Sequence, residues 1–523
     1  MFIRKNFRIF AADFILMHMA GIDLYKEIVF GSADSTTAQR ISDLEKQGKL
    51  RKIAPRLYTT NMKDSPEAIV RRNLIEILVW RFPNAIISHR SAYEMRPTGA
   101  GELFLTTTQN RRITDLPGLG VNLIKGHAAL KSDIPYMGIY ISSESRWILE
   151  VLESSRKSGD ESKSLPQTFV EERLEKMLLQ QGEAKLNAFR DQTREVAQEL
   201  GLTKEFEKLN KIISALLSTH QADVLQSASA VATAAGEPYD ASRLELFDVL
   251  FEQLNNRFFT SLPVRYPDEE SFRMFAFFES YFSNYIEGTE FVVDEAKEII
   301  DSGLPKPRRD EDSHDILGTY RVVSNREEMS RVPHSKEELF ELLRHRHAVL
   351  LQGRPSMQPG MFKQLNNRAG DTVFVDARLV QGTLAKGFQR YEALQDPVAR
   401  AIFMMFMISE VHPFNDGNGR MARVMMNAEL VYADQCRIIV PTVFRLDYLL
   451  TLRKLSRQKN PEAYIQVMQK LHAFSQNLYG SDYEAINRYL LSCNAYEEPE
   501  NARLIVTERS EFINRKSKIT NSI

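Results

Sequence analysis

The sequence has only two cysteines in 523 residues, Cys436 and Cys493, and no CxxC pair. That excludes a disulfide framework and a zinc finger. It reads as a reduced, cytoplasmic chain with buried thiols. No run of eighteen apolar residues occurs, so no membrane-spanning helix is expected. Charge of one sign is missing too: 68 Lys and Arg face 69 Asp and Glu, a formal net charge of -1. The chain as a whole is neither a polybasic nucleic-acid binder nor an acidic tail protein, and any such role needs a local patch. No internal repeat is present.

What is present is ample core material, 43% hydrophobic residues, in a chain long enough for about three domains. The first stretch, MFIRKNFRIFAADFILMHMA, begins basic and turns apolar like a signal peptide. Arg8 and Asp13 interrupt it and no small-residue cleavage site follows, so export is not expected and 1–30 is left unassigned.

Residues 31–145 read as α+β. TTAQRISDLEKQGK (36–49) spaces Ile41 and Leu44 for a helix that ends at Gly48, and LRKIAPRLYTT follows as two short strands around Pro55. A helix leading into a hairpin in this way resembles the winged-helix domain of AbiEi-type antitoxin and regulator proteins. The resemblance covers about seventy residues. It implies DNA as a partner, and residues 31–100 carry twelve Lys and Arg against seven Asp and Glu. Arg40, Lys46, Lys49, Arg51, Lys52 and Arg56 are the candidates to face phosphates. The plainer alternative is a solvated face on a small protein-interaction domain. Short β-like runs fill 101–145. Residues 146–168, with SSRKSGDESKSLPQ, read as a linker, and 146–244 as linker plus helical connector.

From 245 to 460 the pattern is helical except over 350–383. Within it, HPFNDGNGRMAR (412–423) joins the apolar helix pattern DPVARAIFMMFMISEV to a second helix pattern beginning near Arg420. A helix N-terminus offers bare N–H groups to an anion. Gly417 and Gly419 permit close backbone approach. Arg420 and Arg423, three apart, share one face of the first turn and suit a polyphosphate. Asp416 can supply the single carboxylate that Mg²⁺ needs beside phosphate oxygens. His412 can take a proton. Phe414 reads as an apolar anchor. Together these residues point to nucleotidyl or phosphoryl transfer.

Every position of this stretch resembles the Fic family signature H-x-F-x-[DE]-G-N-G-R-x-x-R, in a Fic-like region of about 270–460. The resemblance implies transfer of AMP from Mg-ATP to a Tyr, Thr or Ser hydroxyl of a target protein or of the chain itself. It implies His412 as general base and Asp416 as the Mg²⁺ ligand. Gly417, Asn418, Gly419 and Arg420 would hold the α- and β-phosphates, and Arg423 the γ-phosphate. Gly419 sets the stretch apart from the kinase branch, which has lysine there. Tyr448 falls where relatives place an aromatic by the adenine; otherwise it is core.

SNYIEG (283–288) resembles the family's inhibitory motif [ST]-x-x-x-E-[GN], placed upstream as in the second class. This implies that Glu287 pairs with Arg423 and displaces the γ-phosphate, with Ser283 and Gly288 completing the motif. The plainer reading is a helix-ending Glu before a capping Gly. The hairpin pattern from Arg368 through Ala369, Gly370, Asp371, Thr372, Val373 and Phe374 to Val375 resembles the flap that pairs with a target strand. His345 and His347 fall on different sides of a helix, so they are read as surface residues and not as a metal site.

The expected fold is mainly α: an all-helical Fic domain with a β-hairpin flap, after an α+β winged-helix-like region. Residues 461–523 are expected to be helical to about Tyr489 and then a polar tail. The resemblance also implies a homodimer. A second reading stays open: a DNA-binding regulator whose Fic domain senses nucleotide or modifies itself. So does transfer of a nucleotide other than AMP.

Overall fold

The structure is a computed structural model that describes residues 22–109, 114–219, 222–265 and 267–509. The signal-like stretch over 1–20 and the end of the polar tail, 510–523, lie outside the described residues. The chain divides into two units, Met1–Ala234 and Ala235–Ile523.

In the first unit, strand β1 (Ile28–Phe30) leads to helix α1 (Ser35–Lys46), whose N-cap Asp34 accepts from Thr37 N. β2 (Arg51–Ala54) and β3 (Leu57–Thr59) form the expected hairpin. Its turn holds Pro55 followed by Arg56 at φ 58°. β1 adds to give a three-stranded sheet of order β1-β3-β2. Of the expected winged-helix-like region, the described residues show one helix, α1, leading into a hairpin within a small three-stranded sheet.

A second, six-stranded sheet follows: β4 (Ile86–Ile87), β5 (Glu102–Thr107), β6 (Thr114–Leu116), β7 (Leu119–Lys125), β8 (Ile134–Tyr136) and β9 (Ile139–Ile141), in the order β6-β7-β5-β4-β9-β8. Next comes α2 (Glu144–Leu152), with Trp147, Ile148, Leu149 and Val151 buried. The start of the segment read as linker is thus a core helix, because its apolar side chains pack inward while the polar run begins only after it. Helices α3 (Gln167–Gln181), α4 (Glu183–Leu200) and α5 (Thr203–Leu216) share that core.

The second unit is helical. Its elements in order are α6 (Ala241–Asn255), α7 (Glu269–Ile286), α8 (Asp310–Val323), α9 (Lys336–Leu350), the hairpin β10 (Arg368–Ala369) and β11 (Thr372–Val373), and α10 (Val380–Ala393). There follow α11 (Pro397–Val411), α12 (Asn418–Tyr432), α13 (Arg445–Gln458), α14 (Glu462–Ser475) and α15 (Tyr483–Ser492), with shorter helices between. α11 is apolar on nearly every side and is accordingly the centre of the core. Pro397 at its first turn and Asp396, which accepts from Val398 N and Ala399 N, fix its start. α12 packs back along α11, so the loop between them emerges from the centre of the core. Both cysteines are free and buried. Among the described residues no helix is long and apolar enough to cross a membrane.

Candidate active site

α11 ends on His412, which adopts a left-handed conformation (φ 54°, ψ 60°) that is unfavourable for a non-glycine residue. The neighbouring main chain holds it there. Lys363 N donates to Pro413 O at 2.8 Å, and Lys363 Nζ donates to Val411 O at 3.4 Å. Asn367 Nδ2 donates to Phe414 O at 2.9 Å, and Lys363 Nζ also donates to Asn367 Oδ1 at 2.7 Å. Two residues at the root of the hairpin therefore bracket His412 on both sides. Neither stood out in the sequence, where each is a single polar residue before a turn.

The imidazole is fixed as well. Phe374 stacks on it, with ring centroids 3.6 Å apart. Nδ1 lies 3.3 Å from Ser409 O, a group that can only accept, so Nδ1 carries the proton and Nε2 keeps its lone pair. Burial pushes the imidazole down to about 4, and Lys363 works in the same direction. The ring is neutral at pH 7.

The loop itself is anchored by Phe414, which is fully buried. Its ring stacks on His347 at 3.7 Å between centroids. The surface reading of His347 is overturned: the residue is fully buried, while His345 keeps an exposed side chain. Gly360 N donates to His347 Nδ1 at 2.9 Å, so Nε2 carries the proton and donates to Asp416 O at 3.0 Å. His347 thus sets the height of Asp416. Helical spacing alone could not reveal this, because the partner ring lies 67 positions away in sequence. Asn418 Oδ1 accepts from Phe414 N and Asn418 Nδ2 donates to Phe414 O, both at 2.8 Å. Its amide closes the loop, which leaves only its main-chain N–H for a phosphate.

α12 begins at Asn418, with Gly417 in the left-handed region at φ 72°. Asp416 Oδ1 accepts from Gly417 N, and Oδ2 lies 3.6 Å from Arg420. Arg420 Nη1 sits 2.9 Å from Asp315, a buried carboxylate that also takes both ends of Arg354 at 2.9 and 2.7 Å. Arg420 Nε is buried with no hydrogen-bond partner. A buried guanidinium edge left open beside a helix N-terminus suits a phosphate oxygen. Among the described residues no three His, Cys, Asp or Glu side chains gather where they could hold a metal ion. A divalent ion here would rest on Asp416, whose side chain is 42% exposed, with phosphate and water oxygens completing its shell. That all-oxygen set fits Mg²⁺.

α7 closes the site from the other side. Asp268 caps its start by accepting from Ser271 N, and Gly288 at φ 93° lets the chain turn away after Glu287. Arg423 donates from Nε to Ser283 Oγ at 2.9 Å, from Nη2 to Ser283 O at 2.8 Å and from Nη2 to Glu287 Oε1 at 2.7 Å. Asn284 Oδ1 accepts from Arg420 Nη1 at 3.3 Å. A Cβ built on Gly419 would overlap the Glu287 carboxylate. Glycine at 419 leaves room for the Glu287 carboxylate in this pose.

Tyr448 is 1% exposed, so its ring offers no open face, and its hydroxyl is turned toward Arg423. In the hairpin, Arg368 through Asp371 and Val373 are exposed, while Val375 is buried in the main core and roots the element. Arg243 donates to the outward carbonyl of Val373.

Residues 338–430 match the Fic/DOC family. The match takes in His347, the hairpin and the whole 412–423 stretch, and leaves out Glu287. The chain is 24% identical over 253 residues to protein adenylyltransferase Fic of Drosophila melanogaster, covering 46% of this chain and 48% of that protein. It is 24% identical over 181 residues to protein adenylyltransferase fic-1 of Caenorhabditis briggsae, covering 33% of this chain and 35% of that one. The chain spans about half the length of the first of these relatives. Among solved structures, Fic-1 (residues 134–508) from C. elegans aligns with a TM-score of 0.34 at 17% identity, over 62% of this chain and 92% of that one. A Fic domain-containing signaling protein from Bacteroides thetaiotaomicron aligns with a TM-score of 0.35 at 17% identity, over 45% and 94%.

Proposed function

We propose that the protein is an adenylyltransferase that moves AMP from Mg-ATP to a hydroxyl side chain of a target protein or of itself, and that Glu287 holds it inactive. One observation carries the reading: the complete 412–423 signature is folded as an anion cradle, and the Glu287 carboxylate occupies the cradle's second arginine. The curated relatives named adenylyltransferase support AMP as the transferred group.

In the proposed reaction a hydroxyl oxygen forms a bond to the α-phosphorus. The bond from that phosphorus to the β-bridging oxygen breaks and pyrophosphate leaves. The hydroxyl proton goes to His412 Nε2, the ring nitrogen left without a proton. Arg420 and the N–H groups opening α12 hold phosphate charge, and Arg423 would hold the γ-phosphate once Glu287 leaves. Mg²⁺ on Asp416 would supply charge neutralisation on the phosphates. The exposed hairpin 368–373 would align a target strand by main-chain pairing. Intact-mass spectrometry of the Glu287→Gly chain after incubation with Mg-ATP tests the reading. One AMP adduct supports it, and adducts from UTP, GTP or CTP alone would replace AMP as the transferred group. No adduct from any nucleotide, on the chain or on lysate proteins, removes the reading.

A second reading rests on the first unit. Lys46, Lys49, Lys52 and Arg56 are exposed around α1 and the β2–β3 hairpin. That basic face would bind DNA through phosphates, making the protein a regulator whose Fic domain senses nucleotide or modifies itself. A gel shift that weakens steeply between low and physiological salt tests it.

A further inference from the structure

The inhibitory helix α7 has two working faces. Glu279, Ser283 and Glu287, spaced i, i+4, i+8, turn to α12, where Glu279 accepts from Asn427 Nδ2 and the other two hold Arg423. The opposite face is aromatic: Phe277, Phe278, Tyr281, Phe282 and Tyr285. Beside Phe291, Ile299 and Ile316, it is covered by the segment 483–498, which lies beyond the residues matched to the Fic/DOC family. Tyr483 stacks on Phe278, with centroids 5.7 Å apart and 7° between planes. Tyr496 stacks on Phe282 at 5.3 Å and meets Tyr281 edge-on at 5.7 Å. Tyr285, two residues before Glu287, donates its hydroxyl to Glu498 Oε1 at 2.9 Å. The segment is itself pinned: Ala495 O accepts from Val443 N, and the Tyr496 hydroxyl donates to Asn487 Oδ1.

We propose that residues 483–498 form a clamp on the inhibitory helix, and that their grip sets how often Glu287 releases Arg423. The inference rests on the reading that Glu287 inhibits. Its physical basis is the geometry of α7. The last turn of a helix lacks intrahelical partners for its carbonyls and frays first. Here that turn carries Ser283 and Glu287, and on its outer side the Tyr496 ring and the Tyr285–Glu498 bond oppose fraying beside the capping bonds of Gly288 N to Tyr285 O and Thr289 N to Asn284 O. Aromatic pairs stabilise beyond the area they bury, enough to shift such a local equilibrium. Tyr496 and Glu498 are only partly buried, so the clamp can be reached from solvent without opening the core. A factor that displaces 494–498 would activate the enzyme without touching the nucleotide site.

The test uses the full chain. Tyr496→Ala and the milder Tyr285→Phe are each made alone and on Glu287→Gly. Label transfer from α-³²P-ATP is measured with amide hydrogen exchange of 280–288. The clamp predicts that each variant raises labelling about five- to tenfold in the otherwise native chain, the scale of a typical coupling between sites. It predicts no rise on Glu287→Gly, because nothing remains to release, and it predicts faster exchange at 283–288. Unchanged exchange there in both variants overturns the clamp. So does an equal fall in labelling in both backgrounds, which marks a merely structural role. If Glu287→Gly itself transfers no label, the inhibition reading has failed, and exchange at 283–288 alone then decides whether 483–498 holds the helix.

Discussion

The Glu287 carboxylate reaches Arg423 Nη2 at 2.7 Å across Gly419, in space that any side chain at 419 would fill. A carboxylate and a γ-phosphate cannot share that guanidinium. On the proposed reading, that competition makes the pair a binary switch that distinguishes nucleotides by their third phosphate. Glu287→Gly is expected to tighten Mg-ATP binding about tenfold and to leave Mg-ADP binding within about twofold, the loss or gain of one charge-assisted contact. Titration calorimetry on the Glu287→Gly/His412→Ala chain, which does not turn over, checks it. Equal gains for both nucleotides would place Glu287 against the α- or β-phosphate instead.

Lys363 and Asn367 hold His412 in a backbone conformation it would not choose. Lys363→Met keeps the buried length and removes the Nζ contacts. The rate of transfer is expected to fall at least about tenfold on a Glu287→Gly background, since small misplacements of a base carry large kinetic penalties. Mg-ATP affinity should not change. Lys363→Arg should recover part of the rate. Single-turnover labelling beside equilibrium binding separates the two effects.

His412 and His347 are both held well below the ordinary histidine value of 6.5, at about 4, by burial first of all. The folded state therefore binds fewer protons than the unfolded state between those two values. Stability from this source is complete above pH 6.5 and is lost as pH falls toward 4. Thermal melts from pH 7.5 to 4 should show a falling Tm in that window, and His347→Gln should flatten the fall. The acid limb of transfer by the Glu287→Gly chain should likewise lie below pH 6, because His412 is still neutral at pH 6 and protonates only toward 4.

The twelve residues of the motif were legible because they are contiguous, and a short loop between two helices keeps its neighbours neighbours. Glu287 was legible through its own short motif, although 136 residues separate it from Arg423. Asp315, Lys363 and Asn367 were not. Each is one polar residue whose partners come from elements far along the chain, and nothing in local periodicity marks it. A signal did exist for Asp315, a carboxylate set directly before the buried apolar pair Ile316 and Leu317 on α8. The helix α2 carried its signal as well, in the apolar WILEV, which the polar run after it obscured.

Asn418 closes the loop onto Phe414 with both ends of its amide. Asn418→Ala removes two buried hydrogen bonds and leaves Phe414 N–H unpaired. The expected loss is about 2–4 kcal/mol, from denaturant unfolding followed by fluorescence. Transfer should fall further than stability does, because the loop carries Asp416 and His412 together. A loss under about 0.5 kcal/mol would mean that Phe414 alone holds the loop.

The most direct measurement is label transfer from α-³²P-ATP with Mg²⁺ by three full-length chains: native, Glu287→Gly, and Glu287→Gly/His412→Ala. The account predicts faint labelling by the first, strong labelling by the second and none by the third. Native labelling as strong as that of Glu287→Gly would contradict the switch. Labelling that survives the loss of His412 would contradict the chemistry.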